Sequence, residues 1–180
     1  MTCNTKPGGF FNMWFRNNCG WGAALLAALL PITAWAAIET GDPLPEFADY
    51  QLQGELPDLA GKVVLLDLWA SWCPPCKASF PAFDELQAEL GEAGLVILAV
   101  SVDRKERAYT KFLERMTPGF ATLLDANQKL VADLEPTVMP TSYLFGRDGR
   151  LRAVHTGFRG ESTVQTYRTE IAALLREGAR

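Results

Sequence analysis

Two uninterrupted apolar runs constrain the fold of this chain more than any other feature. Val63–Trp69 and residues 95–102 each have the length and the aliphatic composition of a buried β-strand. Between them, apolar side chains recur at helical spacing over residues 76–90. A strand, a helix and a second apolar strand predict a parallel β-α-β unit, in a sheet covered by helices on both faces.

The pattern after this unit predicts an antiparallel addition to the same sheet. The further elements are a helix at 104–116, a short strand at 121–124, a helical turn at 128–134, two strands at 141–145 and 151–156, and a closing helix at 162–175. The turn residues between the last two strands are a hairpin signal. The expected fold class is therefore α/β, with a central mixed β-sheet flanked by helices.

The first 36 residues have the layout of a secretory signal peptide. Lys6 and Arg16 are charged, no acidic residue is present, and positions 17–38 carry no charge. The apolar stretch ends in Ala-Trp-Ala at residues 34–36, which places small residues where a signal peptidase cleaves. An uncleaved membrane anchor is the alternative, because a charge-free run of this length can cross a bilayer.

We therefore divide the chain into a signal peptide, residues 1–36, and an exported domain, residues 37–180. Two of the four cysteines belong to the first part, so the domain carries a single pair, Cys73 and Cys76. A pair three residues apart closes too short a loop to restrain the unfolded chain much. One pair and a single histidine also cannot complete a four-ligand zinc site. The pair therefore needs a chemical role.

The overall charge gives no sign of a nucleic-acid partner. The chain has 17 basic and 21 acidic residues, which leaves a net charge of −4. No long basic run is present to neutralise a phosphate backbone. We therefore expect no nucleic-acid partner, and a membrane partner for the N-terminal segment only if that segment stays uncleaved.

The cysteine pair lies in the segment WCPPCK at residues 72–77, which follows the first strand and opens the helix. In that context C-x-x-C is a redox motif. Cys73 falls near the helix N-terminus, where free N–H groups and the helix dipole stabilise a thiolate. Cys76 lies one turn later and should be more buried, so we predict Cys73 as the nucleophile and Cys76 as the resolving thiol. Pro75 lacks an N–H that could face the Cys73 sulfur, which favours a reductant over a strong oxidant.

The same region carries a family resemblance. Residues 67–77 (DLWASWCPPCK), with Pro81 later in the helix, resemble the active-site segment of the thioredoxin superfamily. The signal peptide, the WCPPC core and residues 139–144 (MPTSYL) make the chain similar to the TlpA/ResA/DsbE branch, over about residues 47–175.

That resemblance implies a thioredoxin-like fold and an exported, periplasmic thiol–disulfide oxidoreductase. It implies reduction of disulfides in other exported proteins, as in cytochrome c maturation or copper-site assembly. The Cys73–Cys76 disulfide would be the redox group, with no organic cofactor and no metal. A membrane electron donor of the DsbD/CcdA type would return the pair to the dithiol state.

The resemblance also assigns residues to client binding. Pro140 matches the cis-proline of the family, and the backbone of Met139 would pair with an incoming client strand. Trp72, Pro74 and Thr141 would contact the client, with Trp72 forming part of an exposed apolar rim.

Asp67 matches the buried acid that thioredoxins carry beneath the resolving cysteine. A carboxyl group inside an apolar strand should have a raised pKa because of desolvation, and it could accept the Cys76 proton. ResA-type members usually carry a glutamate three positions after the second cysteine, where this chain has Ser79. We therefore assign the role of proton acceptor to Asp67.

Other functions fit parts of this pattern. A disulfide-forming oxidase or isomerase would use the same dithiol at a different reduction potential. A Cu(I) metallochaperone would bind metal through Cys73 and Cys76, with Met139 as a thioether ligand. Two further functions do not fit. A peroxiredoxin-type peroxidase would carry threonine where this chain has Ala70, and c-type haem attachment would need histidine where it has Lys77.

Two other polar features are interpreted as structural. His155 lies within a predicted strand, far in sequence from the cysteines, so we expect a solvated or hydrogen-bonded strand histidine. Residues 103–107 carry charges of both signs, which is typical of a solvated helix face.

Overall fold

The computed structural model describes residues 38–177. The expected signal peptide at residues 1–36 lies outside the described residues. Within residues 38–177, no helix is both long enough and apolar enough to cross a bilayer.

Five strands and four helices follow a short 3₁₀ turn at Phe47–Tyr50 in this part of the chain. The strands are β1 (Val63–Trp69), β2 (Leu95–Ser101), β3 (Ala121–Leu124), β4 (Thr141–Phe145) and β5 (Leu151–Thr156). The helices are α1 (Pro74–Leu90), α2 (Glu106–Met116), α3 (Lys129–Leu134) and α4 (Glu161–Glu177). The order of elements is the predicted one.

The five strands form one mixed sheet in the order β3-β2-β1-β4-β5. β1 is parallel to β2, and β2 is parallel to β3. β4 is antiparallel to β1, and β5 is antiparallel to β4. The predicted parallel β-α-β unit with an antiparallel hairpin is therefore confirmed, and β1 lies at its centre.

Burial of β1 on both faces explains its continuous apolar sequence. All seven of its residues are buried, and successive side chains point to opposite faces of the sheet. Val63, Leu65 and Trp69 join a cluster that includes side chains of α1, α2 and α4. A second cluster contains Val64, Leu66 and Leu68 with side chains of α3 and the 3₁₀ turn.

Aromatic packing fixes α1 against the end of β1. Trp69, the last residue of β1, lies 4.8 Å from Phe80 and 4.6 Å from Phe112 between ring centroids. Phe80 in turn lies 5.0 Å from Phe112 of α2 and 5.2 Å from Phe120. Because Phe80 follows Cys76 by one helical turn, this packing sets the depth at which the cysteine segment enters the core.

The first turn of α1 tolerates its two prolines. The helix begins at Pro74, two residues before the predicted start, because the first N–H groups of a helix have no intrahelical partner to lose. Pro81 lies inside α1, which continues to Leu90. Proline at this position therefore does not end the helix.

The interpretation of residues 103–107 as a solvated helix face is wrong for Asp103. α2 begins at Glu106, so Asp103 lies in the loop after β2, and it is buried. Its carboxylate accepts hydrogen bonds from Ser71 and Ser101, which compensate the loss of water. The sequence pattern could not show this, because Ser71 is 32 residues away in the chain.

Two aromatic side chains near the cysteines should differ sharply in their effect on stability. We expect Phe80→Ala to lower the free energy of unfolding by about 3–5 kcal/mol, because it removes a fully buried ring from the core. Trp72→Ala should change it by less than about 0.5 kcal/mol, because this side chain is 66% exposed. Denaturant unfolding of the oxidised protein measures both, and equal losses would contradict the packing described here.

Candidate functional site

The two predicted redox cysteines lie at the start of α1. Cys73 is the N-cap residue, with an extended backbone (φ −92°, ψ 108°), and Cys76 lies in the first helical turn. They form a disulfide with an S–S distance of 2.08 Å and a Cα–Cα distance of 5.3 Å. The strand–loop–helix path from β1 therefore delivers a reversible redox group to the carboxyl end of the central strand.

The helix N-terminus provides a backbone donor to the first sulfur. The Cys76 N–H donates to Cys73 Sγ at 3.3 Å, whereas Pro74 and Pro75 have no N–H to offer. Cys73 is 4% exposed and Cys76 is fully buried. The difference in exposure has the predicted direction, although it is small in the disulfide form.

Exposed apolar side chains flank Cys73 in the chain. Trp72, directly before Cys73, is one of the exposed large apolar side chains, as is Val138. Pro74 is also exposed. The structure thus places apolar area beside the redox group, in a position to meet a partner molecule.

The loop before β4 packs close to this surface. The Met139–Pro140 peptide bond is cis, and Met139 packs against the core cluster that contains both cysteines. The Pro140 carbonyl accepts a hydrogen bond from the Gly157 N–H at 2.7 Å. Thr141 is only 2% exposed, and its hydroxyl donates to the Val138 carbonyl at 2.6 Å. The Thr141 side chain therefore shapes this loop from inside rather than facing the surface.

Asp67 lies in the middle of β1 and is fully buried. Its Oδ1 accepts a hydrogen bond from the Ser142 hydroxyl at 2.6 Å, while Oδ2 has no protein partner. Burial raises the pKa of Asp67 to about 7, and the Ser142 hydrogen bond opposes that shift. A carboxyl group with such a pKa can gain and lose a proton near neutral pH.

Two residues that the sequence analysis missed complete the surroundings of Asp67. Ser142 lies directly opposite Asp67 in the β1–β4 pairing, and the Tyr167 hydroxyl of α4 donates to the Ser142 hydroxyl at 2.9 Å. Burial and the Asp67 charge raise the pKa of Tyr167. The sequence marks Ser142 only as a polar residue within an apolar strand. Its pairing opposite Asp67 depends on the tertiary structure, which no local pattern encodes. Tyr167 is a buried residue of an amphipathic helix, and nothing in the sequence around it indicates this hydrogen bond.

His155 has a structural partner, as expected. Its Nε2 lies 2.7 Å from Glu170 Oε2, and its ring packs edge-on against Tyr167 at 5.0 Å between centroids. The prediction of a hydrogen-bonded strand histidine is therefore confirmed.

Ser79 occupies the position at which ResA-type members usually carry glutamate. Its hydroxyl donates to the Cys76 carbonyl at 2.8 Å, and the side chain is fully buried. This contact stays within the helix and supplies no ionisable group. Asp67 points to the same face of the sheet as Leu65 and Trp69, which share a core cluster with Cys76.

Comparison with known proteins agrees with this geometry. The Redoxin family model matches residues 39–171. Thiol-disulfide oxidoreductase ResA of Bacillus cereus is 30% identical over 137 residues, which cover 74% of this chain and 79% of that protein. ResA of Oceanobacillus iheyensis is 33% identical over 139 residues, which cover 73% of this chain and 72% of that protein.

A solved structure supports the same conclusion. A Chlorobium tepidum protein assigned as thiol:disulfide interchange protein DsbE superimposes with a TM-score of 0.71 at 33% sequence identity. The match covers 77% of this chain and 99% of that one. With its redox-active cysteine pair at the start of α1, the chain belongs to the Redoxin family and, within the thioredoxin superfamily, to the TlpA/ResA/DsbE-like thiol–disulfide oxidoreductases.

Proposed function

We propose that this protein is an exported reductase of disulfides in other exported proteins. Clients of this kind include proteins that need free thiols for cytochrome c attachment or for copper-site assembly. The observation that carries the proposal is the Cys73–Cys76 pair at the helix start, directly after exposed Trp72. The redox pair and an exposed apolar side chain at the carboxyl end of β1, with a buried acid within that strand, support this proposal.

In the proposed reaction, Cys73 is the attacking group. The Cys73 thiolate attacks one sulfur of the client disulfide, which forms a mixed disulfide and releases the other client sulfur as a thiolate. Cys76 then attacks the Cys73 sulfur and releases the second client thiol. Two electrons pass to the client, and the protein is left with the Cys73–Cys76 disulfide.

Asp67 is proposed to accept the proton that Cys76 must lose before it attacks. Both residues are fully buried, and Tyr167, which donates to Ser142, shares a core cluster with Cys76 and with Phe83 of α1. A thiol in such surroundings ionises reluctantly, so a nearby base is needed. A carboxyl group with a pKa of about 7 has a balanced affinity for the proton near neutral pH.

The two prolines between the cysteines support the reducing direction. Pro75 cannot donate to the Cys73 sulfur, which leaves the thiolate with less stabilisation than a dipeptide with free N–H groups would give. A less stabilised thiolate makes the dithiol state less favourable relative to the disulfide. A reductant therefore results, whereas a strong oxidant needs a stabilised reduced form.

The proposal also includes a location and a source of electrons. The layout of residues 1–36 supports export to the periplasm, with an uncleaved membrane anchor as the alternative. An oxidising compartment would hold the pair in the disulfide state. A membrane donor of the DsbD/CcdA type would therefore be required to restore the dithiol after each turnover.

The reduction potential tests the proposed direction. We expect a value near that of thioredoxin, about −270 mV, after equilibration against glutathione or dithiothreitol and quantification of free thiols. A value near that of DsbA, about −120 mV, would contradict the reductase assignment and favour a disulfide-forming oxidase.

Trapping experiments test the two cysteine roles separately. With a disulfide-containing protein substrate, Cys76→Ser should accumulate a covalent complex through Cys73, because the resolving thiol is absent. Cys73→Ser should form no such complex and should show no reductase activity. Non-reducing electrophoresis and mass spectrometry identify the adduct, and an adduct on Cys76 in the Cys73→Ser protein would reverse the assignment.

The pH dependence of stability tests the state of Asp67. An aspartate in the unfolded chain loses its proton near pH 3.9, whereas Asp67 in the oxidised native protein holds it to about pH 7. The native state therefore binds more protons between these values, and the free energy of unfolding falls as pH rises across that window. With about 1.4 kcal/mol for each pKa unit, the total loss is roughly 4 kcal/mol.

Asp67→Asn should lack this loss. Its free energy of unfolding, relative to the wild type, should rise from pH 4 to pH 7 and stay constant above pH 8. Ser142→Ala is the matched variant, because it removes the hydrogen bond that lowers the Asp67 pKa and should extend the window to higher pH. Parallel pH profiles for wild type and Asp67→Asn would contradict the raised pKa.

A further inference from the structure

A buried carboxylate holds the loop that leads to the cysteines. Asp103 is 3% exposed and follows β2 by two residues. Its Oδ2 accepts hydrogen bonds from the Ser71 N–H at 2.9 Å and the Ser101 hydroxyl at 2.8 Å. Its Oδ1 accepts a hydrogen bond from the Ser71 hydroxyl at 2.9 Å. Ser71 is thereby fixed through its backbone and its side chain at once.

The residues around Ser71 are also held by the backbone. The Val102 N–H donates to the Trp69 carbonyl at 2.8 Å, and the Cys73 N–H donates to the Ala70 carbonyl at 3.0 Å. Trp69 and Cys73, on either side of Ser71, are therefore fixed by backbone hydrogen bonds, while Ser71 itself is bound by Asp103. The orientation of this short loop determines where Trp72 and Cys73 point.

We propose that Asp103 is a positioning residue for thiol–disulfide exchange at Cys73. Its hydrogen bonds to Ser71 fix the loop that presents Trp72 to the client and sets the Cys73 sulfur at the helix start. Exchange requires the attacking sulfur to approach the client disulfide in a narrow range of directions. This inference rests on the proposed role of Cys73 as the attacking cysteine.

Asp125 provides a control within the same chain. It is also a buried aspartate after a parallel strand, 1% exposed, and its carboxylate accepts hydrogen bonds from the N–H groups of Lys129 (3.1 Å) and Val131 (2.9 Å). Those bonds hold the start of α3 and do not reach the cysteine loop. Removal of either carboxylate leaves partly buried N–H groups without their partner, so both variants should lose stability. An effect on exchange should be confined to Asp103.

Asparagine at position 103 separates geometry from charge. Its carbonyl oxygen can accept from the Ser71 N–H and the Ser101 hydroxyl, and its amide can donate to the Ser71 hydroxyl. Asp103→Asn therefore keeps the connection to the loop without a carboxylate. Asp103→Ala removes the connection altogether.

The test compares these variants in the full chain, reduced beforehand. The readouts are the second-order rate constant for reduction of a peptide disulfide, the pH profile of Cys73 alkylation and the melting temperature. For Asp103→Ala we expect the rate constant to fall about 10- to 100-fold, as for other small misplacements of reacting groups. The alkylation profile should shift as well. Asp103→Asn should remain near the wild-type rate constant, and Asp125→Ala should do so despite its lower melting temperature.

Specific outcomes would overturn the inference. If Asp125→Ala slows exchange as much as Asp103→Ala, general destabilisation explains the effect. If Asp103→Asn is as slow as Asp103→Ala, charge rather than positioning is responsible. Should Asp103→Ala not fold, Ser71→Ala removes only the side-chain bond, and an unchanged rate constant and alkylation profile would contradict the proposal. Exchange that survives in Cys73→Ser would instead refute the proposed function.

Discussion

Helices on one side of the sheet, and α3 with the 3₁₀ turn on the other, exclude water from every side chain of β1. That exclusion holds the central strand in place between β2 and β4. It also acts on the one ionisable group of the strand, because a carboxylate without water is unfavourable and Asp67 consequently keeps its proton to about pH 7. The burial that stabilises the fold therefore also raises the pKa of Asp67.

The carboxyl end of β1 connects this core to the redox group. Trp69 packs between α1 and α2, the loop turns at Ser71, and Cys73 caps the helix that begins at Pro74. The segment that carries the disulfide is thus held by the packing of Trp69 against α1 and α2 and by the hydrogen bonds of Ser71 to Asp103 in the loop after β2. Trp72 and the two prolines between the cysteines extend outward from this framework. A packed support and an exposed rim suit the proposed reaction, in which one fixed pair of sulfurs meets the disulfides of other proteins.

Local sequence patterns were sufficient for the strands, the cysteine pair and Asp67. Each of these follows from neighbours in the chain: an apolar run, a C-x-x-C at a helix start, and one acid inside a buried strand. Local patterns did not predict the contacts of Ser142, Tyr167 and Asp103, because their hydrogen-bond partners lie 75, 25 and 32 positions away in the chain. Asp103 shows the difficulty most clearly, since its charged neighbours in sequence resemble a solvated helix while its actual partners are two serines. Strand register and loop contacts, which no local pattern encodes, decide these cases.

The hydrogen bond from Tyr167 to Ser142 has a consequence for the order in which the molecule matures. Asp67 and the cysteines come from β1 and α1, but the surroundings that govern the acid are closed by α4, the last helix of the fold. A chain that ends at β5 contains both cysteines, yet it lacks the tyrosine and the cover of α4. The hydrogen-bonded surroundings of Asp67 are therefore complete only once the final helix has packed, and a chain truncated before it would carry both cysteines beside an acid that is no longer fully enclosed.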